Sequence, residues 1–188
     1  MDKIKLESIP GKGMGYVATE FISADEIIFA EKPFALVGSS DHKSIYSLLY
    51  VVMQSKKTKK IFETFAPHEV DDTMEFVDPD KLYIRNACIK KFMKSLPNLT
   101  LYCEKIHRNV FSFNKKLMLL NHGTRFNHSC VPNVHYFFDD NEKCMYFVAI
   151  RDICEGDELT IAYIDGVCNQ LESLKVTYGF DCRCPKHK

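Results

Sequence analysis

Between residues 14 and 37 turn signals alternate with β-branched and aromatic runs. Tyr16-Val17-Ala18 and Ile27-Ile28-Phe29-Ala30 flank a break at Ser23-Ala24-Asp25, and Pro33 interrupts the second run, so short strands are expected here. From about Ser44 to Asn114 the period changes. Ile45, Leu48, Leu49 and Val52 fall three and four apart, as do Ile84, Cys88, Phe92 and Met93, which predicts a mostly helical stretch. Asp80 is placed to cap the second helix and Pro97 to end it. The basic run Lys56 to Lys60 and the acidic run Glu69 to Asp80 read as an exposed connection. Strand texture returns at Val134 to Phe138, turns at Asp139-Asp140-Asn141-Glu142 and resumes at Met145 to Ile150, predicting a hairpin. Glu155-Gly156-Asp157 marks a turn before the apolar run Leu159 to Tyr163, and Leu171 to Tyr178 reads as a short helix. Phe21 to Ile27 echoes Asp152 to Leu159, read as two similar turns and not as a repeat architecture.

A chain of 188 residues with 46% hydrophobic content buries about two-thirds of its unfolded surface, which supports one domain with a small appendage. The 25 basic and 25 acidic residues cancel, so no global field favours nucleic acid or an anionic membrane. No apolar run reaches the roughly 18 residues needed to span a bilayer, and the start of the sequence lacks a signal peptide's apolar stretch, so an intracellular protein, in nucleus or cytoplasm, is expected. In that reducing setting the eight cysteines, Cys88, Cys103, Cys130, Cys144, Cys154, Cys168, Cys182 and Cys184, are expected to be thiols or metal ligands.

Four segments carry candidate chemistry. Gly11-Lys12-Gly13-Met14-Gly15 has glycines at the wrong spacing for a dinucleotide loop and is followed by β-type residues where that fold needs a helix. It leaves either a backbone open to close ligand approach or a plain tight turn. Asn127-His128 offers amide and imidazole groups suited to a zwitterionic or purine ligand, against the alternative of a buried structural histidine. Cys182-x-Cys184-x-x-His187 supplies three zinc-type ligands, with Cys130 the obvious fourth, against the alternative of two buried thiols and a frayed histidine. Tyr163 closes an apolar run before the turn Asp165-Gly166. Its phenol, with an ordinary pKa near 10, suits hydrogen bonding and positioning better than base catalysis, and a plain core tyrosine is the alternative.

Arg125-Phe126-Asn127-His128-Ser129-Cys130-Val131-Pro132-Asn133, then Glu158-Leu159-Thr160-Ile161-Ala162-Tyr163, then Phe180 to His187 resemble the SET-domain protein-lysine methyltransferases, closest to the branch combining SET and MYND domains. The resemblance runs from Gly11 to Ala35 and from about Asn109 to His187. It implies an α+β protein: a SET β fold of short twisted sheets with a C-terminal pseudoknot, a helical insertion and a zinc-binding post-SET tail. The parts would be 1–43 and 115–167 for the SET core, 44–114 for the insertion and 168–188 for the tail. The MYND finger is missing, since residues 44–114 hold only Cys88 and Cys103, and His187 stands where the family's tail presents a third cysteine.

The resemblance further implies S-adenosylmethionine bound by Lys12, Gly13, Met14, Asn109, Thr124, Asn127, His128, Tyr163, Tyr178 and Phe180. Tyr163 would be the catalytic residue, Ile161 would occupy the place that limits how many methyl groups fit and, being aliphatic, leave more than one methylation state open, and Cys130, Cys182, Cys184 and His187 would hold one structural zinc. The expected partner is a protein substrate, a histone tail above all, with no sequence-specific nucleic-acid binding, no membrane and a monomeric state. The competing reading is a non-catalytic, zinc-stabilised interaction module. A metal-dependent hydrolase lacks support, because the ligand set is closed.

Overall fold

Ile4–Ile9, buried at Ile4 and exposed from Lys5 to Ser8, forms the first hairpin with Gly13–Ala18, β1 (Ile4–Ile9) and β2 (Gly13–Ala18), antiparallel with Ile9 opposite Gly13. β1 was not foreseen. The hairpin turn closes with Lys12 N–H donating to the Ile9 carbonyl at 3.0 Å, and Gly11 and Gly13 sit at φ of 73° and 77°, where a side chain would be strained. The computed structural model describes residues 2–38, 44–71, 74–164 and 170–187. They divide into two compact units, one made of 1–32 and 125–188, the other of 33–124.

In the first unit, β10 (Glu158–Ile161) lies antiparallel to β2 and parallel to β7 (Asn127–His128), giving the order β1-β2-β10-β7. A second sheet joins β3 (Ile27–Glu31), β9 (Cys144–Ala149) and β8 (Val134–Asp139), the last two being the expected hairpin. Between the sheets the core is aromatic. Phe147 stacks on Phe29 and Phe126 at centroid distances of 4.7 and 4.8 Å, and Tyr16 closes on Phe126 at 5.0 Å. Such contacts add about 0.5–1.5 kcal/mol each beyond burial. The two echoing segments face one another: Ile22 and Ile153 exchange N–H···O bonds of 3.0 and 2.9 Å. α5 (Gln170–Tyr178) is the expected short helix. Cys168 and the Asp165-Gly166 turn lie outside the described residues.

The second unit holds α1 (Ser44–Met53), α2 (Lys56–Glu63), α3 (Ala87–Ser95) and α4 (Leu99–Asn109) with a sheet ordered β4 (Ala35–Gly38), β6 (Lys116–Leu119), β5 (Phe111–Phe113). Leu48, Leu49 and Val52 bury one face of α1 against Phe62, Phe65, Met93 and Ile106. Two expectations are corrected. Lys56 to Lys60 is not a connection but the first turns of α2, begun by Ser55, whose hydroxyl accepts from Lys57 N–H at 3.2 Å. Asp80 does not cap α3. Its own N–H turns back onto Asp78 at 2.9 Å, so the chain is still bending there, and Asn86 caps the helix by accepting from the N–H groups of Cys88 and Ile89. α3 ends at Ser95, two residues before Pro97.

The zero net charge conceals a division. Residues 33–124 carry 14 Lys and Arg against 9 Asp and Glu, and the remainder carries 11 against 16. Among the described residues no helix is long and apolar enough to cross a membrane.

Candidate active site and metal centre

β7 is two residues long and would not hold its shape alone. β10 supplies the partner, with Thr160 opposite Asn127 and Ile161 opposite His128, and Ser129 N–H continues the ladder to the Ile161 carbonyl at 3.0 Å. Asn133 closes the loop from the other end. Buried, its side chain donates to the Glu158 carbonyl at 2.9 Å and accepts from Thr160 N–H at 2.8 Å, and its own N–H donates to the Thr160 carbonyl at 3.3 Å. The 127–133 loop is thereby tied along the length of β10, the crossing expected of a pseudoknot.

Glu158 joins three elements. One carboxylate oxygen accepts from the Asn127 amide at 3.0 Å, and the other meets the Lys12 ammonium at 2.5 Å. Both partners were expected site residues, whereas Glu158 was not. Its signal was present, since it is an acid opening an otherwise apolar strand. Gly15 makes the close approach possible: a Cβ there would collide with Asn127 Nδ2 and Ile9 Cγ1. Gly13 leads into β2 with nothing within 4 Å of where its Cβ would stand, and Met14 beside it is exposed. A cavity of about 320 Å³ borders this network, lined by Lys12, Ser129, Asn133, Glu158, Arg183 and Cys184 among others.

Tyr163 is fixed at both ends. Its hydroxyl donates to the Phe126 carbonyl at 2.6 Å and its backbone N–H donates to His128 Nδ1 at 3.1 Å. Burial above all, with smaller contributions from Tyr178 and Glu158, pushes its phenol well above the ordinary tyrosine range, so it is neutral at pH 7. Burial, then the charges of Lys12 and His187, pushes the His128 imidazole down to about 4. His128, Tyr178 and Phe180 surround the Tyr163 ring at centroid distances of 5.3, 4.8 and 6.3 Å.

The ligand atoms of Cys130, Cys182, Cys184 and His187 all lie within 4.8 Å of one another. Cys130 and Cys182 sulfurs are 3.8 Å apart, about the ligand spacing that tetrahedral geometry with Zn–S bonds of ~2.3 Å requires, and His187 Nε2 lies 3.2 Å from Cys130 Sγ. Burial, then the adjacent thiols, pushes Cys130 up to about 12. Three crowded sulfurs cannot all ionise without a cation, and zinc resolves this by binding them as thiolates. The donor set therefore fits one zinc ion. Leu174 packs with Cys182, Cys184 and Tyr178, so the cluster also anchors α5.

Two expected residues belong to the other unit. Asn109 ends α4 and donates to the carbonyls of Ala66 and Lys105 at 2.7 and 2.9 Å, and Thr124 donates to the Leu120 carbonyl at 3.1 Å.

The profile of the SET domain matches residues 13–164. The chain belongs to the SET domain family. Across 95% of its length it is 33% identical to SET domain-containing protein L678 of Acanthamoeba polyphaga mimivirus, covering 74% of that protein. It is 30% identical over 96% of its length to the histone-lysine N-methyltransferase set5 of Schizosaccharomyces pombe, and 41% identical over 32% of its length to the protein-lysine N-trimethyltransferase SMYD5 of Gallus gallus. It spans 49% and 16% of those two proteins. Among solved structures, Rubisco LSMT bound to AdoMet superposes with a TM-score of 0.66 at 16% identity, over 96% of this chain and 52% of that one. That likeness is one of fold. Within the SET fold, the parallel β7–β10 pair and the loop tied along it bring the Asn-His block to Tyr163.

Proposed function

We propose that this protein is an S-adenosylmethionine-dependent protein-lysine N-methyltransferase with a zinc-held tail. The observation that carries the reading is the convergence of Asn127, His128 and a doubly anchored Tyr163 in one buried corner beside the Cys/His cluster. Open space at Gly13 suits close backbone approach by a ligand, and the aromatic faces of Tyr178 and Phe180 suit an adenine. Lys12, Gly13, Met14, Asn127, His128, Tyr178 and Phe180 would hold the methyl donor. S-adenosylmethionine, when bound, supplies the methyl group on a sulfonium. Residues 168–188 act as the post-SET tail and 44–114 as the insertion.

A free lysine, with pKa ~10.4, is neutral in only about one part in a few thousand at pH 7. A narrow dry channel disfavours the ammonium. Tyr163 stays protonated and offers no base, so its part is to orient: its oxygen, held by the Phe126 carbonyl, accepts from the amine and directs the nitrogen lone pair. Ile161, buried next to this corner, limits how many methyl groups fit. Histone tails are the proposed substrate class, as the name of the fission yeast relative suggests.

The test is incubation of the protein with labelled S-adenosylmethionine and core histones, read by mass spectrometry. Methyl-lysine should form, and Tyr163→Phe should lower the rate by at least about 100-fold through misplacement of the amine, while the fold survives because one hydrogen bond contributes only about 1 kcal/mol to stability. Equal transfer by both variants removes the assigned role of Tyr163. No transfer by either returns the protein to the interaction-module reading.

A further inference from the structure

The bonds made by the His128 ring go beyond what methyl transfer requires of it. Tyr163 N–H lies 3.1 Å from His128 Nδ1, and a backbone amide can only donate, so Nδ1 carries no proton. In a neutral imidazole the proton must then sit on Nε2. Nε2 is 3.1 Å from Cys130 Sγ, one of the four metal-type ligands. The ring cannot turn away, being 5% exposed and packed on Tyr163 at 5.3 Å and on Phe180 at 6.1 Å. Both nitrogens are thus committed within the protein, which leaves the backbone and the ring face of His128 for any ligand.

We propose that His128 is a positioning residue that couples the zinc-binding sulfur of Cys130 to the backbone of Tyr163. Its Nε2–H donates to the Cys130 thiolate, and its Nδ1 holds the Tyr163 N–H. The inference rests on reading Tyr163 as the residue that orients the substrate amine, and on the fit of the Cys/His cluster to zinc. The physical content is mutual. N–H donation disperses charge on a thiolate and strengthens the metal's hold, and the sulfur in turn fixes the tautomer and the ring angle that Tyr163 depends on. Tyr163 is thereby set from both sides of Asn127, its hydroxyl by Phe126 and its backbone by His128. Loss of zinc is then felt at the catalytic tyrosine through the His128 ring.

Two measurements on the full zinc-loaded chain decide this. Long-range proton–nitrogen correlation on ¹⁵N-labelled protein should find His128 as the Nε2–H tautomer with an unprotonated Nδ1; a proton on Nδ1 overturns the proposal. His128→Phe keeps a ring and removes both nitrogens. In the cobalt-substituted protein it should shift the thiolate-to-cobalt charge-transfer band without changing the ligand count, and chelator competition should report zinc affinity lower by about 10- to 100-fold. An unmoved band with unchanged affinity means the ring merely packs. The wild-type tautomer is readable even if the variant does not fold. Absence of methyl transfer by the wild type would sink the enzymatic reading, while the tautomer and the cobalt band would still decide the coupling.

Discussion

A hydrogen on the α-carbon of Gly15 is all that Asn127 leaves room for. Gly15→Ala should push the Asn127 amide off Glu158 and cost about 1.5–3 kcal/mol, the range for losing a hydrogen bond to a charged group. Denaturant titration measures it. Asn127→Ala added to Gly15→Ala should cost little more, since the bond is already gone, and full additivity would show that the two sites are uncoupled. At this scale the sequence was most legible where burial is chemically costly. An Asn-His pair, three thiols and a tyrosine beside an apolar run need partners, and their assembly could be anticipated before any coordinates. Glu158 and Asn133 lie inside the blocks that carry the resemblance but were given no role, because each reads as an ordinary polar residue until the strand pairing puts a carboxylate between Lys12 and Asn127.

Helix ends carry the corrections among the elements. Asn86→Ala removes the acceptor for two N–H groups of α3 and should lower stability by about 1 kcal/mol, whereas Asp80→Ala should leave the melting temperature unchanged. The reverse ranking would restore Asp80 as the cap. Lys105 gives a pH test. Buried in α4, its ammonium donates to the carbonyls of Glu63 and Phe65 at the end of α2. Burial holds its pKa below the ordinary 10.5, with Glu63 opposing. The unfolded chain therefore binds more protons than the folded one at pH values just under 10.5, and stability from this group rises with pH through that window. Lys105→Met should flatten the rise relative to wild type, read by denaturation from pH 8 to 10.5. Helical spacing marked α1 and α3 in the sequence, but α2 was hidden: four lysines at its start read as a solvated run, and the Ser55 cap and buried Phe62 outweigh them.

The whole molecule depends on the tail being held. Elemental analysis should find one zinc per chain, and chelation should free residues 170–187, seen as faster tryptic cleavage at the exposed Arg183 and Lys186. Amides of α1 and α4 should keep their protection against hydrogen exchange, because their core is separate. Equal cleavage with and without chelator would detach the tail's order from the metal. Local periodicity located strands and helices but carries no record of long-range pairing; the expectation that 1–43 and 115–167 share a core came from the family resemblance alone, and the structure groups 1–32 with 125–188.

That discontinuity has a consequence during translation. β2 ends at Ala18 and its neighbour β10 begins at Glu158, so at roughly 5–20 residues per second the ribosome takes roughly 7–30 s to deliver the partner strand. The stretch 33–124 emerges uninterrupted and can collapse while its flanks wait. Until then the first hairpin is a nascent edge with backbone groups unpaired, the state in which a chaperone or a neighbouring polypeptide would find it.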